Sequence, residues 1–178
     1  MINERENVVP GMPRDKQEFS KILLAIDGSE SSMAAADYAI SITACYEGAD
    51  LIVLHVLPEG VKKVYFDYKP EDLPIWIRTN LSEYKQELQR WLYRVNDKYQ
   101  KQKHKEQHKN ETANVTLKIE IVDLLTSVAG TIVSYAEEQG IDVIVIGTRG
   151  MSGIKRMLLG SVAEGVVMYT HCPVLVVK

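Results

Sequence analysis

The feature that most constrains the fold is a set of short, continuous apolar runs separated by stretches of helical periodicity. Residues 22–26 read ILLAI, 51–57 read LIVLHVL, 142–146 read DVIVI and 174–177 read VLVV. Short runs without polar alternation are typical of strands buried on both faces, as in a parallel sheet covered by helices. These four segments therefore predict four strands of an α/β domain.

One further strand is predicted from a different pattern. In VTLKIEIV, the apolar residues Val115, Leu117, Ile119 and Ile121 alternate with polar ones. Such alternation gives a strand one buried and one solvated face. This segment is therefore expected at an edge of the sheet.

The segments between these predicted strands have apolar residues at helical spacing. This spacing predicts helices over 30–46, from 81 to 99 and beyond, over 127–139 and over 161–169. Five strands alternating with helices predict a three-layer α/β fold with an open, five-stranded parallel sheet. Ligands bind such sheets beyond the carboxyl ends of the strands, where the strand order reverses. Because the first and fourth strands have glycine-bearing exits, we expect them to be neighbours.

Length and charge favour one globular domain. The 178 residues, with 46% hydrophobic and 25% charged side chains, suit a single core. The 21 basic and 24 acidic residues give a net charge of −3, which does not favour binding to nucleic acid or an anionic membrane. Residues 1–19 lack periodicity and are expected to be a mobile leader, followed by one domain over 20–178.

The cysteines and the N-terminus indicate a compartment. Cys45 and Cys172 cannot build a disulfide framework and neither lies in a CxxC pair, which favours a reducing environment. We expect both to be packed thiols. The N-terminus lacks the pattern of a signal peptide, and no apolar run approaches the ~18 residues of a membrane span. The sequence therefore predicts a cytoplasmic protein.

The segment 58–112 is an elaboration of the strand–helix alternation. Its irregular first part, 58–80, is rich in aromatic residues and prolines. Three roles are consistent with this composition: a lid over the ligand, an interface with a partner, or ordinary packing on the domain. Further on, His104 and His108 have the spacing of a metal-binding pair on a helix. Because they have no third ligand and lie among lysines, a solvated face is expected instead.

The loop GTRGMSGIKRMLLGS, residues 147–161, has the strongest signature of binding chemistry. It contains four glycines, Gly147, Gly150, Gly153 and Gly160. Glycines let the backbone approach a ligand closely, and the helix that begins at Ser161 offers unpaired N–H groups and a positive dipole end. Arg149, Lys155 and Arg156 add positive charge. The loop is therefore expected to bind phosphate.

This loop matches neither of the two common phosphate-binding motifs, because the chain has no GxxxxGK[ST] and no GxGxxG after its first strand. Its spacing Gly147-x2-Gly150-x9-Gly160-Ser161 instead resembles the nucleotide-binding signature of the universal stress protein family. KILLAIDGSESS, ADLIVLHVL, IDVIVIGTRG and THCPVLVVK are similar to the family's first, second and last two strands. The resemblance covers about residues 20–58 and 115–178.

The resemblance implies both a fold and a ligand. The fold is of the adenine nucleotide alpha hydrolase-like type with strand order 3-2-1-4-5, and the ligand is ATP with Mg²⁺ or Mn²⁺ in the crevice between strands one and four. By position, it places Ala25, Ile26 and Val56 along the adenine and Asp27 near the ribose or adenine. It places Gly147, Gly150, Gly160, Ser161 and Val162 around the sugar and phosphates, in the loop to which Arg149 adds charge.

Some of these residues can also be explained by local structure, without a bound ligand. Many relatives have a hydroxyl where this chain has Ala163, so one phosphate hydrogen bond worth about 1.5–3 kcal/mol is expected to be missing. Ser161 and Glu164 match a capping box, and Asp27 suits a cap of the first helix. His55 is expected to be a core histidine with satisfied hydrogen bonds.

Three functions are consistent with these features. The leading hypothesis is a universal stress protein whose ATP-bound state biases association with partners, and which dimerises through the apolar terminal strand Val174–Val177. The second is a slow ATP hydrolase or phosphotransferase, in which Lys155 or Arg149 stabilises charge and Ser161 is an acceptor. The third is a stress-family scaffold that binds no nucleotide.

Overall fold

The computed structural model describes residues 19–58, 61, 74–107, 116–150 and 159–178. Strands and helices alternate along these residues. The elements are β1 (Lys21–Ala25), α1 (Glu30–Ala44), β2 (Asp50–Leu57), α2 (Ile75–Gln107), β3 (Thr116–Asp123), α3 (Val128–Gln139), β4 (Val143–Gly147), α4 (Ser161–Tyr169) and β5 (Val174–Val177). Most ends lie within two residues of the prediction. The exception is α2, which begins directly after Pro74 and so well before the periodicity at Leu81.

The strands form one parallel sheet in the order β3-β2-β1-β4-β5. The predicted fold and the predicted pairing of β1 with β4 are thus confirmed. In β1, Ile22 and Leu24 pack on the face covered by α1 and α2, and Leu23 and Ala25 pack on the face covered by α3 and α4. Both faces are buried, which explains why the apolar runs are continuous.

β3 occupies the sheet edge that its alternating pattern predicted. It pairs with β2 alone among the described strands. The edge position is thus confirmed. The alternation also placed Ile119 and Ile121 on a buried face, but they are 41% and 44% exposed, whereas Leu51 and Val53 on the paired strand are fully buried. The expected buried face is therefore wrong at these two residues, since an edge strand is covered less than the strands inside the sheet.

Local signals set the ends of the helices that lead into and out of the sheet. The Ser29 hydroxyl accepts a hydrogen bond from Ser32 N and caps α1, and Ser127 caps α3 in the same way through Gly130 N. α3 ends at Gly140, which has the left-handed conformation with φ of 61°. The caps place both helix N-termini at the carboxyl edge of the sheet.

The long helix α2 packs on α1. Its buried residues Leu88, Val95 and Tyr99 recur at spacings of seven and four, as expected of one apolar face. Trp91 of the same helix lies against Gly28 in the turn between β1 and α1, where a Cβ would stand 2.0 Å from the indole ring. Within 58–112, the described helix is therefore an integral part of one sheet face.

Several predictions fall outside the described residues. These are residues 1–18 of the leader, nearly all of 59–73, His108, Gly153, Lys155 and Arg156. The division between leader and domain stays a prediction. Cys172 is half-buried, but Cys45 is exposed because α1 ends there, so the prediction that both thiols are packed was wrong for Cys45. In the described ranges, no helix is both long and apolar enough to cross a membrane.

Replacing Gly28 with alanine should destabilise the fold more than the same change at Gly48. Both glycines have positive φ, 84° and 75°, so each substitution strains the backbone by about 1–2 kcal/mol. At Gly28 the new Cβ also collides with Trp91, whereas nothing lies within 4 Å at Gly48. We expect urea denaturation to give a loss of about 3 kcal/mol or more for Gly28→Ala. Equal losses for the two variants would contradict this packing.

Candidate functional site

A cavity of about 290 Å³ opens at the carboxyl edge of the sheet, where the strand order reverses between β1 and β4. This is the position at which open parallel sheets bind ligands. All the residues predicted to bind a nucleotide line this cavity. They are Ala25, Ile26, Asp27, Val56, Gly147, Arg149, Gly150, Gly160, Ser161 and Val162. The fold thus brings them together, and their contact with a ligand stays a prediction.

The glycines at the end of β4 allow two elements to approach each other. A Cβ on Gly147 would stand 2.6 Å from both the hydroxyl oxygen of Ser31 and the backbone nitrogen of Ser32. A Cβ on Gly150 would stand 2.8 Å from a carboxylate oxygen of Asp27. Glycine is therefore required at 147 for packing of the α1 N-terminus, whether or not a ligand is bound. At 150, a Cβ would instead require the Asp27 carboxylate to shift.

Serine hydroxyls of α1 fix the loop after β4. The carbonyl oxygen of Arg149 accepts from the hydroxyls of Ser29, at 3.1 Å, and Ser31, at 2.6 Å. Arg149 N in turn donates to the Ser31 hydroxyl at 3.3 Å. On the other side, Thr148 N donates to the carbonyl oxygen of Val177 at 2.6 Å. Residues 148 and 149 are therefore anchored to both β5 and α1.

The N-terminus of α4 faces the cavity without a side-chain cap. Its N-cap is Gly160, which donates to the Thr148 carbonyl oxygen at 2.7 Å and has no side chain to cap the helix. Ser161 is the first residue of the helix, so the capping-box alternative with Ser161 as cap was wrong. The first N–H groups of a helix have no partner within it. The N–H groups of Ser161, Val162 and Ala163 are such donors, and these three residues line the cavity.

Arg149 contributes an unsatisfied donor to the same wall. Its Nε atom is buried and has no hydrogen-bond partner among the described residues. A buried donor without a partner costs about 1–3 kcal/mol. An anion in the cavity would be attracted both by the charge of the Arg149 guanidinium and by the α4 N-terminus.

Asp27 supports the turn between β1 and α1. One of its carboxylate oxygens accepts from Ser29 N at 3.0 Å, one residue before α1 begins. Ser29, not Asp27, is the N-cap of α1, so the alternative that Asp27 is that cap was wrong. The carboxylate remains part of the cavity wall, close to Gly150.

His55 is a buried histidine with both ring nitrogens engaged, as predicted. Nδ1 lies 2.8 Å from the carbonyl oxygen of Ile26, and Nε2 lies 2.5 Å from the hydroxyl of Tyr84. Burial lowers the pKa of His55, although the bond to Ile26 and the charge of Asp27 oppose this shift. The ring is therefore neutral at physiological pH. Beyond the prediction, His55 also lines the cavity.

Sequence reasoning missed part of the wall. The missed residues are Ser32, Leu54, His55, Pro58, Tyr84, Val128, Ile132, Ile146 and Thr148, whereas Ala163, which the sequence analysis named for the hydroxyl it lacks, also lines the cavity. Val128 and Ile132 could have been found, because a helix after the third strand must begin at the carboxyl edge. Tyr84 had no such signal, since one position on a long helix does not reveal what it faces. Ala163 is 2% exposed and packs in the core with Ala25 and Ile146.

The comparison with known families matches this chain over almost its whole length. The model of the universal stress protein family matches residues 18–178. The chain belongs to the universal stress protein family. Among its relatives, the universal stress protein YxiE of Bacillus subtilis is 34% identical over 164 residues, which cover 90% of this chain and 99% of YxiE.

Solved structures of this family have the same fold. The MJ0577 protein of Methanocaldococcus jannaschii gives a TM-score of 0.62 at 26% identity, covering 90% of this chain and 96% of that one. Two other solved family members are complexes. One, with cAMP, gives a TM-score of 0.55 at 23% identity, covering 90% and 98% of the two chains. The other, from Archaeoglobus fulgidus with dAMP, gives 0.57 at 20% identity, covering 90% and 98%.

The buried state of His55 should make folding stability depend on pH. Because the folded-state pKa of His55 is lowered, the unfolded chain binds more protons than the folded one below about pH 6.5. Stability should therefore decrease as the pH falls from about 6.5 towards the folded-state pKa, and level off below it. Thermal unfolding between about pH 7.5 and 5 measures this decrease.

The variant His55→Asn provides the test of this assignment. Asparagine keeps an N–H that can donate to Ile26 and does not titrate, so the decrease should become smaller. His171→Asn is the control, because His171 is exposed and its ring only approaches Glu137, at 3.8 Å. A slope unchanged by His55→Asn would show that other groups cause the pH dependence.

Proposed function

We propose that this universal stress protein binds ATP in the cavity at the β1/β4 crevice. The observation that carries the proposal is that an uncapped α4 N-terminus and the charged residue Arg149 lie in one wall of the cavity. Both attract anions and both lie at the predicted phosphate loop. The two solved family members in complex with cAMP and dAMP support an adenine nucleotide as the ligand.

The other end of the cavity suits a base. Val56 of β2, Val128 and Ile132 of α3, Leu54 and Ala25 give the cavity apolar lining that does not belong to the predicted phosphate loop. Apolar walls with a few placed polar groups are typical of nucleotide base sites. ATP would thus extend from this wall to the α4 N-terminus, with its ribose near Asp27.

A divalent ion, Mg²⁺ or Mn²⁺, would accompany the triphosphate. No group of three or more His, Cys, Asp or Glu side chains that could bind a metal occurs among the described residues. Mg²⁺ commonly keeps several waters and binds through substrate phosphates with one or two carboxylates. The ion would therefore be bound mainly by the phosphates, with Asp27 as the carboxylate present in the wall.

Binding, and not turnover, is the proposed activity. Both nitrogens of His55 are engaged by Ile26 and Tyr84, and a carboxylate oxygen of Asp27 is engaged by Ser29. These groups are thus committed to structure and poorly placed to activate a water. The bound nucleotide would bias association with protein partners in a cytoplasmic stress response.

Replacing Gly160 with aspartate should abolish ATP binding. A Cβ at this position would stand 3.1 Å from the Thr148 carbonyl oxygen, and the added carboxylate would repel phosphate at the α4 N-terminus. Isothermal titration of MgATP into stripped protein should give heat for the wild type and none for Gly160→Asp. Gly48→Asp is the matched control, because it adds the same charge where nothing lies within 4 Å.

Two results would contradict this proposal. If the wild type gives no titration heat and releases no adenine nucleotide on denaturation, the nucleotide-independent scaffold becomes the better hypothesis. If it releases phosphate from ATP at a steady, rapid rate, the protein is an enzyme and the sensing function is wrong.

We also propose that two copies of the chain associate through β5. This strand pairs with β4 on one side and ends the sheet on the other, which leaves backbone groups of Val174–Val177 without a strand partner among the described elements. On the preceding helix, Val167, Met168 and Tyr169 are exposed. An apolar sheet edge of this kind is commonly covered by a symmetry mate.

Light scattering after size exclusion should report twice the chain mass of 20.1 kDa, or about 40 kDa. Met168→Glu should shift the equilibrium towards monomer, since it places a charge beside β5. Tyr38→Glu is the control, because Tyr38 is also exposed, at 55% against 66% for Met168, but lies on α1. A monomeric wild type would contradict the proposed dimer.

A further inference from the structure

The indole ring of Trp91, on α2, packs on the turn between β1 and α1, although Trp91 is not itself one of the residues that line the cavity. We propose that Trp91 is a positioning residue for nucleotide binding: its ring holds the turn that carries Asp27 in the conformation that the ligand meets. The inference rests on the proposed function and extends the site to α2, outside the segments whose motifs indicated the family.

The turn contains a residue with wide conformational freedom. Gly28 has φ of 84°, in the left-handed region, and glycine adopts positive and negative φ about equally well. Glycine therefore permits this turn but does not hold it in one conformation. Holding a residue in one conformation has an entropic cost that contacts with the rest of the fold must offset. The turn thus depends on what packs against it.

Trp91 restrains the turn at two points. A Cβ on Gly28 would stand 2.0, 2.3 and 2.4 Å from three atoms of the indole, so the ring lies directly on the glycine backbone. The ring also meets His55 edge to face, with 5.9 Å between the ring centroids. Nδ1 of His55 in turn lies 2.8 Å from the carbonyl oxygen of Ile26. Trp91 therefore supports the chain on both sides of Asp27.

The conformation of this turn determines part of the cavity wall. Asp27 lines the cavity, and one of its carboxylate oxygens accepts from Ser29 N at 3.0 Å, across Gly28. The hydroxyl of Ser29 donates to the carbonyl oxygen of Arg149, another residue of the wall. A shift of Gly28 would therefore move the carboxylate away from the proposed position of the ribose. Without the indole, part of the binding free energy would be used to order the turn.

Titration of MgATP tests the effect on affinity. We expect Trp91→Ala to raise Kd about tenfold, the effect of one backbone residue that becomes ordered only on binding. Trp91→Phe keeps an aromatic ring at this position and should recover part of the affinity. Val95→Ala is the matched control, because Val95 lies one turn further along α2 and is 1% exposed in the same core. It should lower stability and leave Kd unchanged.

Amide hydrogen exchange separates this role from a general loss of stability. In Trp91→Ala without nucleotide, the N–H of Ser29, which is bonded to Asp27, should exchange about tenfold faster, because the turn opens locally. MgATP should restore its protection. The N–H of Gly130, which is bonded to the Ser127 hydroxyl at the start of α3, is the internal reference and should keep its wild-type rate.

The possible results are distinct. If the wild type binds MgATP and Trp91→Ala binds it as tightly, or if Val95→Ala weakens binding equally, the inference is wrong and the proposed function stands. Unchanged exchange at Ser29 in Trp91→Ala would also overturn the inference. If Trp91→Ala does not fold, Trp91→Leu takes its place, since it keeps apolar volume on α2 without a ring over Gly28. If the wild type does not bind MgATP, the proposed function itself fails.

Discussion

The close contact between the end of β4 and the N-terminus of α1 is the interaction on which the rest of the site depends. Because Gly147 has no side chain, Ser31 and the backbone of Ser32 lie directly against it. This contact brings the exits of β1 and β4 together, so that the Ser31 hydroxyl can bind Arg149 and fix the loop that follows. A methyl group at 147 would separate α1 from the sheet and open the crevice at its base.

The site is then completed from two directions. The described part of the loop after β4 and the uncapped N-terminus of α4 provide mainly backbone groups, and helix N-terminal N–H groups are donors that anions bind. The opposite end is made of side chains, with Val56 and Ile132 on one face of the sheet and the pair of His55 and Tyr84 on the other. Backbone N–H groups bind the phosphates of any nucleotide in the same way. Under the proposed function, selectivity between nucleotides would therefore have to come from the side chains that line the rest of the cavity.

The strands and the pairing of β1 with β4 could be predicted because they depend on strong local patterns, and the full strand order was implied by the family resemblance. The phosphate loop was also identified from a local pattern, and its contact with phosphate stays a prediction. Continuous apolar runs distinguish buried strands from the alternating β3, and the glycine spacing identifies the loop through residues such as Gly147 and Gly160. The alternative N-cap of α4 was placed one residue too late, since the capping box put Ser161 at the N-cap and the N-cap is Gly160. Sequence patterns locate an element well but its first residue poorly, since the groups that compete for a cap are adjacent.

The contacts of α2 were beyond sequence reasoning for a different reason. Pro74 marks where the helix begins, a signal that was present in the sequence and not used. The contact of Trp91 with Gly28 and that of Tyr84 with His55 each join residues that are distant along the chain. Periodicity shows only that Trp91 and Tyr84 belong to a helix, and not which residues they contact. Such contacts follow from how α2 crosses α1, which depends on the shapes of many side chains at once.

Part of the cavity wall is made of backbone groups and the rest of side chains, and the glycine motif gives information only on the backbone part. The motif specifies the position of the backbone groups at the exit of β4 and at the start of α4, where the proposed phosphates would lie. It contains no information on Tyr84, which reaches the cavity from a helix outside the motif. Two chains with the same loop can therefore differ in the residues that line the rest of the cavity. Under the proposed function, those residues would determine which base is bound.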